Sequence, residues 1–337
     1  MTTSTESPQR ASRWKQALAW AFGLGLLAWL LYRAPMQSAW EAAQATPASI
    51  WALTIGGLLV SYGLRAARLQ VVLNLDDMHQ PPSRWLGLRT DALRVILQHN
   101  AAINLLPMRA GELSFPWFAA RELNLPVARA VVCLIWMRLQ DLVILMGLGL
   151  ALWPGITWWL RVAGIGLLLG GWHAGWWLLQ RLLKNAQSIT PHAGGWRAIA
   201  AKLQSALLER AHHRPAAWLL TLANWALKLA AGATLLAAIS HAPWSTGWGG
   251  ALGGELAAVL PLQGPAGFGT YEAGVWAGMA ALLPAQSPSL GQAVGAALAL
   301  HLCFLLCAVL AGAVAAGLSH LNRTHQLVDR PGTGPTL

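Results

Sequence analysis

Charge is what this sequence has least of. Only 10% of its 337 residues are Asp, Glu, Lys or Arg, where a soluble domain carries about a quarter. That shortage excludes an ordinary water-soluble fold. Cysteine is scarce as well. Cys133, Cys303 and Cys307 all lie inside apolar runs and form no CxxC pair, so no disulfide framework is expected and the three read as small packing residues. There is no Walker A loop, no HExxH, no GxSxG and no metal-type cluster of His and Asp. Without those signatures an enzyme is not expected, nor a cofactor or a metal. The glycines of "GPAGFG", 264–269, follow no strand and open no βαβ unit, so they are not a nucleotide fingerprint.

What is abundant is apolar. The chain is 56% hydrophobic, with a mean hydropathy of +0.47. Several runs reach the roughly 20 residues needed to cross a bilayer, and they do not alternate as the strands of an outer-membrane barrel do. The expected fold class is all-α: a polytopic membrane protein with about six transmembrane helices plus two broken or re-entrant segments. The spans are expected near 17–32, 48–64, 130–153, 156–179, 216–240 and 292–318. Most of the 20 Trp residues lie near the ends of these runs, as an interfacial belt requires.

The basic residues orient the chain. Nineteen of the 23 Lys and Arg fall before span one, between spans two and three, between four and five, or after span six. Arg33 and Arg161 fall on the other side, and Arg138 and Lys228 within spans. The positive-inside rule then puts both termini in the cytoplasm of a bacterial cell, with the chain in the inner membrane. It also accounts for the net charge of +11 without nucleic acid as a partner. The N-terminal basic region and apolar stretch resemble a signal peptide, with "AQA" at 43–45 as a cleavage site, but the length of the run favours its retention as span one. Residues 1–14 and 321–337 read as disordered ends of one integral-membrane domain, 15–320. Residues 195–210 have apolar positions at helical spacing. That helix either lies on the leaflet or packs on the ends of the spans.

The two broken stretches echo each other. "NLLPMRAGE" (104–112) and "AVLPLQGPAGFGTYE" (258–272) both run Leu-Pro, then Gly, then Glu, at different spacings. Each follows the second span of a three-span half and precedes the third. Halves of about 15–155 and 156–320 would be inverted copies, a 3+3 inverted repeat. Paired interruptions at matching positions point to a transporter's substrate site, because broken backbone at membrane depth needs protein or a water-filled cavity to cover it.

Ionisable residues inside spans add to that site. Arg138 and Asp141 stand three apart on one helical face. Two readings stand open: a self-neutralising pair, or an Arg138 that meets an anionic headgroup and is held by Asp141. Lys228 has no acidic neighbour in its span, which leaves Glu272, Glu255 or Asp141 as partners, or a phosphate directly. Arg109, Arg138 and Lys228 offer cations to a phosphate, and Glu112, Asp141, Glu255 and Glu272 balance them in the empty state. His301 reads as a hydrogen-bonded packing residue.

These residues carry a resemblance. The stretch 104–142, with Asn104, Pro107, Arg109, Gly111, Glu112, Arg121, Arg138 and Asp141, resembles the first signature of the lysylphosphatidylglycerol synthase transmembrane, or flippase-like, family. "LPLQGPAGFGTYEAGV" (260–275) resembles the second, through Pro261, Gly267, Gly269 and Glu272. Many relatives have Pro-Gly-Gly-x-Gly where this chain has Pro-Ala-Gly-Phe-Gly. The resemblance covers roughly 15–320. It implies movement of a polar-headed lipid between leaflets, the lipid being anionic, aminoacylated, hopanoid or glycosylated. It further implies a membrane lipid substrate and an association with lipid-synthesis enzymes. It concerns the membrane part alone, so a synthase activity is not expected from it. The competing functions are a membrane enzyme using Glu112 and Glu272 as acid and base, and a non-catalytic partner of a lipid-synthesis complex.

Overall fold

A computed structural model describes residues 36–75, 84–106, 111–153, 155–185, 196–259, 264–281 and 288–328, with positions 21, 24–26, 28, 29 and 32 before them. Most of the expected first span therefore lies outside the described residues. Apart from the two-residue strands Arg84–Trp85 and Leu88–Arg89, which pair as a hairpin, the described regular structure is helical.

The helices are α1 (Met36–Ala45), α2 (Ala48–Leu73), α3 (Thr90–Leu105), α4 (Ser114–Leu123), α5 (Val127–Leu152), α6 (Trp158–Asn185), α7 (Trp196–Leu207), α8 (Pro215–Ser240), α9 (Trp244–Ala257), α10 (Thr270–Ala280) and α11 (Leu290–Val328). Five of them, α2, α5, α6, α8 and α11, are long and apolar enough to cross a membrane. They match the last five expected spans. Their ends follow local rules. Pro215 opens α8 at its first position, where its missing N–H costs nothing. Asn74 and His241 close α2 and α8 in the left-handed conformation. Arg161 of α6 donates to the carbonyls of Ala151, Trp153 and Ile156, which satisfies acceptors that the C-terminus of α5 leaves open.

Two boundaries differ from the sequence reading. The second span does not end at 64 but continues to Leu73, because Leu69, Val72 and Leu73 return to the buried face. Arg65 and Arg68 are thus helix residues and not part of a basic loop. α11 runs on to Val328, past the boundary expected at 320.

Both broken stretches are helix, break, helix. α3 ends at Leu105, a 3-10 turn covers 111–113, and α4 follows. α9 ends at Ala257, a 3-10 turn covers Pro265–Gly267, and α10 follows. α3 packs along α11 and touches the Pro265–Gly267 turn, so the second interruption rests on the helix that leads into the first. α9 lies against α10 so closely that a Cβ on Gly278 would stand 2.1 Å from the Gly249 carbonyl oxygen. Glycines four apart (249 and 253, 274 and 278) make this approach feasible, as small residues do in membrane helix pairs.

α7 packs on α5. Leu203, Ala206 and Leu207 join Val132, Trp136, Trp172 and Trp176 in one apolar cluster, and Arg129 holds Glu209 at 2.6 Å. The helix expected within 195–210 is found over Trp196–Leu207, packed on α5. The three cysteines are buried in their helices, as expected.

Candidate functional site

The polar residues of the broken segments and spans gather in two connected clusters. The first begins on α2. Its helical spacing turns Arg65 and Arg68 inward, where Arg68 is 3% exposed. Arg68 donates to Asp141 Oδ1 of α5 at 2.6 Å, to the Met137 carbonyl at 2.7 Å and to Gln140 Oε1 at 3.0 Å. Asp141 also accepts from Trp225 Nε1 of α8 at 3.0 Å. Arg138 pairs with Asp141 at 3.3 Å but more tightly with Glu112, at 2.8 Å. A buried guanidinium needs such partners, since an unpaired charge away from water is prohibitive.

Glu112 is delivered by the first break. Gly111 crosses the backbone of α3, where a Cβ would lie 2.4 Å from the Ala102 carbonyl oxygen, so only glycine passes here. Ser114 Oγ donates to the Gly111 carbonyl at 2.6 Å and contacts His99 Nδ1 at 3.1 Å. Because the hydroxyl proton is already committed, the Nδ1 proton of His99 completes this contact. Arg65 donates to Asn100 Oδ1 at 2.5 Å and lies over the Trp225 ring at 5.8 Å. Among the described residues, no carboxylate is within ion-pair distance of Arg65.

Arg65, Arg68, His99, Asn100, Arg138 and Asp141 line a cavity of ≈ 30 Å³, on the order of one or two water molecules. Three guanidinium groups and one carboxylate, that of Asp141, line it, and Glu112 pairs with Arg138. Arg68 Nε, Asn100 Nδ2 and His99 Nε2 are buried there without a hydrogen-bond partner among the described residues. Buried polar atoms are nearly always paired, and each exception calls for an account.

The second cluster sits beside it. Lys228 of α8 reaches Glu255 Oε1 of α9 at 2.7 Å and lies over the rings of Trp225 and Phe304. Of the three carboxylates open to Lys228, Glu255 is its partner. Glu272 is fully buried. Its Oε2 accepts from the Gly269 N–H at 2.6 Å, and its Oε1 lies 2.6 Å from His301 Nδ1. Gly267 and Gly269 have φ of 85° and 84°, in the region glycine tolerates best. Their role here is to shape the turn.

The structure therefore joins Glu112, Arg138, Asp141, Lys228, Glu255, Gly111, Gly267, Gly269 and Glu272 of the expected site. Asn104 lies apart: it donates to the Asn100 carbonyl in its own helix. Arg121 is exposed at the end of α4, over the Trp117 ring at 5.4 Å, and does not reach the clusters. Pro107, Arg109 and Pro261 lie outside the described residues. Sequence reasoning misses Arg65, Arg68, His99, Asn100 and Trp225 as site residues. The usable signal is that "RAARLQVVL" keeps helical apolar spacing past its arginines.

Five membrane-length helices, with buried ion pairs among them and two interrupted helical stretches, define a polytopic α-helical membrane protein. A family model described as "Lysylphosphatidylglycerol synthase TM region" matches residues 16–312, and the chain belongs to that family. No curated protein and no solved structure matches it.

Proposed function

We propose that this protein is a flippase-like transporter that moves a polar-headed lipid between the leaflets of a bacterial inner membrane. The observation that carries this reading is the donor-rich cavity. Among the described residues Arg65 has no carboxylate partner, and Arg68 Nε and Asn100 Nδ2, of two residues that line the cavity, are buried with no acceptor. A phosphate oxygen supplies what these groups lack, and charge-assisted bonds to guanidinium are the strong ones. At ≈ 30 Å³ the cavity is closed to a headgroup, so binding requires the surrounding helices to part. A ligand stabilises such an open form only through its differential contacts with it.

The contact of α3 with the Pro265–Gly267 turn supports a 3+3 inverted-repeat domain over about 15–320, and the distribution of basic residues supports cytoplasmic termini. Substrate at the junction of paired broken helices is how such folds alternate access. The enzyme reading has less support, since Glu272 is fully buried with both carboxylate oxygens engaged.

The test is headgroup-dependent transfer in proteoliposomes, with phosphatidylglycerol, an aminoacylated lipid and a glycosylated polyprenyl phosphate as probes. Transfer above empty vesicles is expected for at least one of them. Arg65→Gln lowers it by about tenfold, the worth of one charged hydrogen bond, with the protein still folded. No transfer of any probe counts against the reading.

A further inference from the structure

His301 is 4% exposed and has an acceptor at each ring nitrogen. Nδ1 lies 2.6 Å from Glu272 Oε1 and Nε2 lies 2.9 Å from the Ala266 carbonyl oxygen. A neutral imidazole has one N–H and can serve only one of them. With Glu272 ionised and His301 neutral, one nitrogen lone pair would face an oxygen lone pair at bonding distance. The geometry needs one more proton than that state holds, carried either by the imidazole or by the carboxyl. The carboxylate cannot turn away to relieve this, because its other oxygen is held by the Gly269 N–H.

We propose that His301 and Glu272 form a buried binding site for one proton, and that this proton latches the 264–269 turn and is exchanged during the transport cycle. Binding takes one proton from water and changes the pair's charge from −1 to 0; release returns the proton and restores the charge. The latch reaches the turn at two points, the Ala266 carbonyl and the Gly269 N–H. Between them Ala266 has φ 53°, Gly267 85° and Gly269 84°. A non-glycine residue in this region is strained and is kept there by its surroundings. Loss of the proton removes one of the two bonds, and the turn is where the second interruption meets α3 of the first.

The surroundings leave the pair to balance itself. Phe268 and Tyr271 flank the imidazole at 4.5 and 4.9 Å between ring centroids. The other titratable or charged groups on elements packed against α11, up to residue 319 of α11, are Cys303 and Cys307 of α11 itself, Glu255 of α9 (packed on α10), Lys228 of α8, Asp91, Arg94 and His99 of α3, Tyr62, Arg65 and Arg68 of α2, and Glu41 of α1. His320, Arg323 and His325 follow, starting about five turns along α11 from His301. Among the described residues none of them is in ion-pair contact with Glu272 or His301, and Lys228 is committed to Glu255.

The proton site stands independently of transport; its exchange rests on the transporter reading. Nitrogen NMR of ¹⁵N-histidine-labelled full-length protein in nanodiscs tests the site. His301 is identified through the one Leu-His pair in the sequence, Leu300–His301, so no variant has to fold. At neutral pH both ring nitrogens are expected to carry or share a proton. A bare nitrogen across the range in which the protein stays folded, with infrared spectra showing no buried carboxylic acid, overturns the proposal. Lipid transfer in proteoliposomes under an imposed pH gradient tests the exchange. The rate is expected to change several-fold with the sign of the gradient, and Glu272→Gln, which mimics the protonated acid, removes that dependence. A wild-type rate indifferent to the gradient overturns exchange. Absence of transfer under all conditions sinks the transporter reading, and the NMR result then decides the proton site alone.

Discussion

Lys228 Nζ lies 2.7 Å from Glu255 Oε1, and the two side chains are 17% and 9% exposed. They tie α8 to α9, and α9 is the helix that leads into the second interruption. The pair belongs to the second polar cluster and adjoins the first through Trp225, over whose ring Lys228 lies and whose Nε1 donates to Asp141.

Removing one partner strands the other charge. Lys228→Met is expected to cost about 3–5 kcal/mol, whereas the double variant Lys228→Met with Glu255→Leu recovers most of the loss. Equilibrium unfolding of the two single variants and the double variant checks this as a cycle. A double variant as unstable as the sum of the singles would show that the two residues do not interact.

The α9–α10 contact leaves no room for a methyl group. Gly278→Ala places a Cβ against the Gly249 carbonyl oxygen, and Gly253→Ala against that of Gly274 at 2.3 Å. Each is expected to destabilise by roughly 1–3 kcal/mol, the cost of overpacking. Gly166→Ala on α6, where nothing lies within 4 Å, is the control and leaves the melting temperature at or slightly above that of the parent. Equal effects of Gly278→Ala and Gly166→Ala would contradict the close approach.

His212 lies outside the spans, in the turn before α8, and is 1% exposed. Burial, together with the neighbouring His213, pushes its imidazole from the ordinary 6.5 down to about 3. The folded protein therefore holds it neutral, while the unfolded chain protonates it below pH 6.5. Its contribution is intact above 6.5 and declines as pH falls toward 3, by at most ~1.4 kcal/mol per pH unit. His212→Gln is expected to flatten the acid side of the stability profile in that window. An unchanged profile would mean that the ring is not held neutral.

Topology has a direct assay. Cys133, Cys303 and Cys307 are buried, so single added cysteines dominate labelling in intact cells. Lys202→Cys on α7 is expected to resist an impermeant maleimide, and Ser245→Cys at the start of α9 to react with it. The opposite pattern reverses the proposed orientation.

Apolar run length is a local property, and five expected spans are found as helices within a few residues at most of their ends. The exception is informative. Arg65 suggests a membrane interface when read alone, yet α2 carries it inward because Asn100 and Trp225 receive it there. Partners of this kind come from packing between α2, α3 and α8, which no window of sequence contains. The breaks were legible because a Pro inside an apolar run removes a helix hydrogen bond and a cluster of glycines beside it permits the turn that follows. Which carboxylate takes Lys228 was open among three, and the crossing of α8 and α9 selects Glu255. Arg121 matches the family signature but ends up exposed, since α4 is only ten residues long and closes just after it.

α6 has one more implication. It is long enough to span, yet none of its most apolar window is buried within the protein, and Leu167 and Trp158 are 79% and 76% exposed. Among the described residues, most of the circumference of this helix has no protein neighbour, so the acyl chains around it act as part of the tertiary structure. Swapping those lipids for a detergent micelle removes a structural component, and α6 is the segment whose position would register the exchange first.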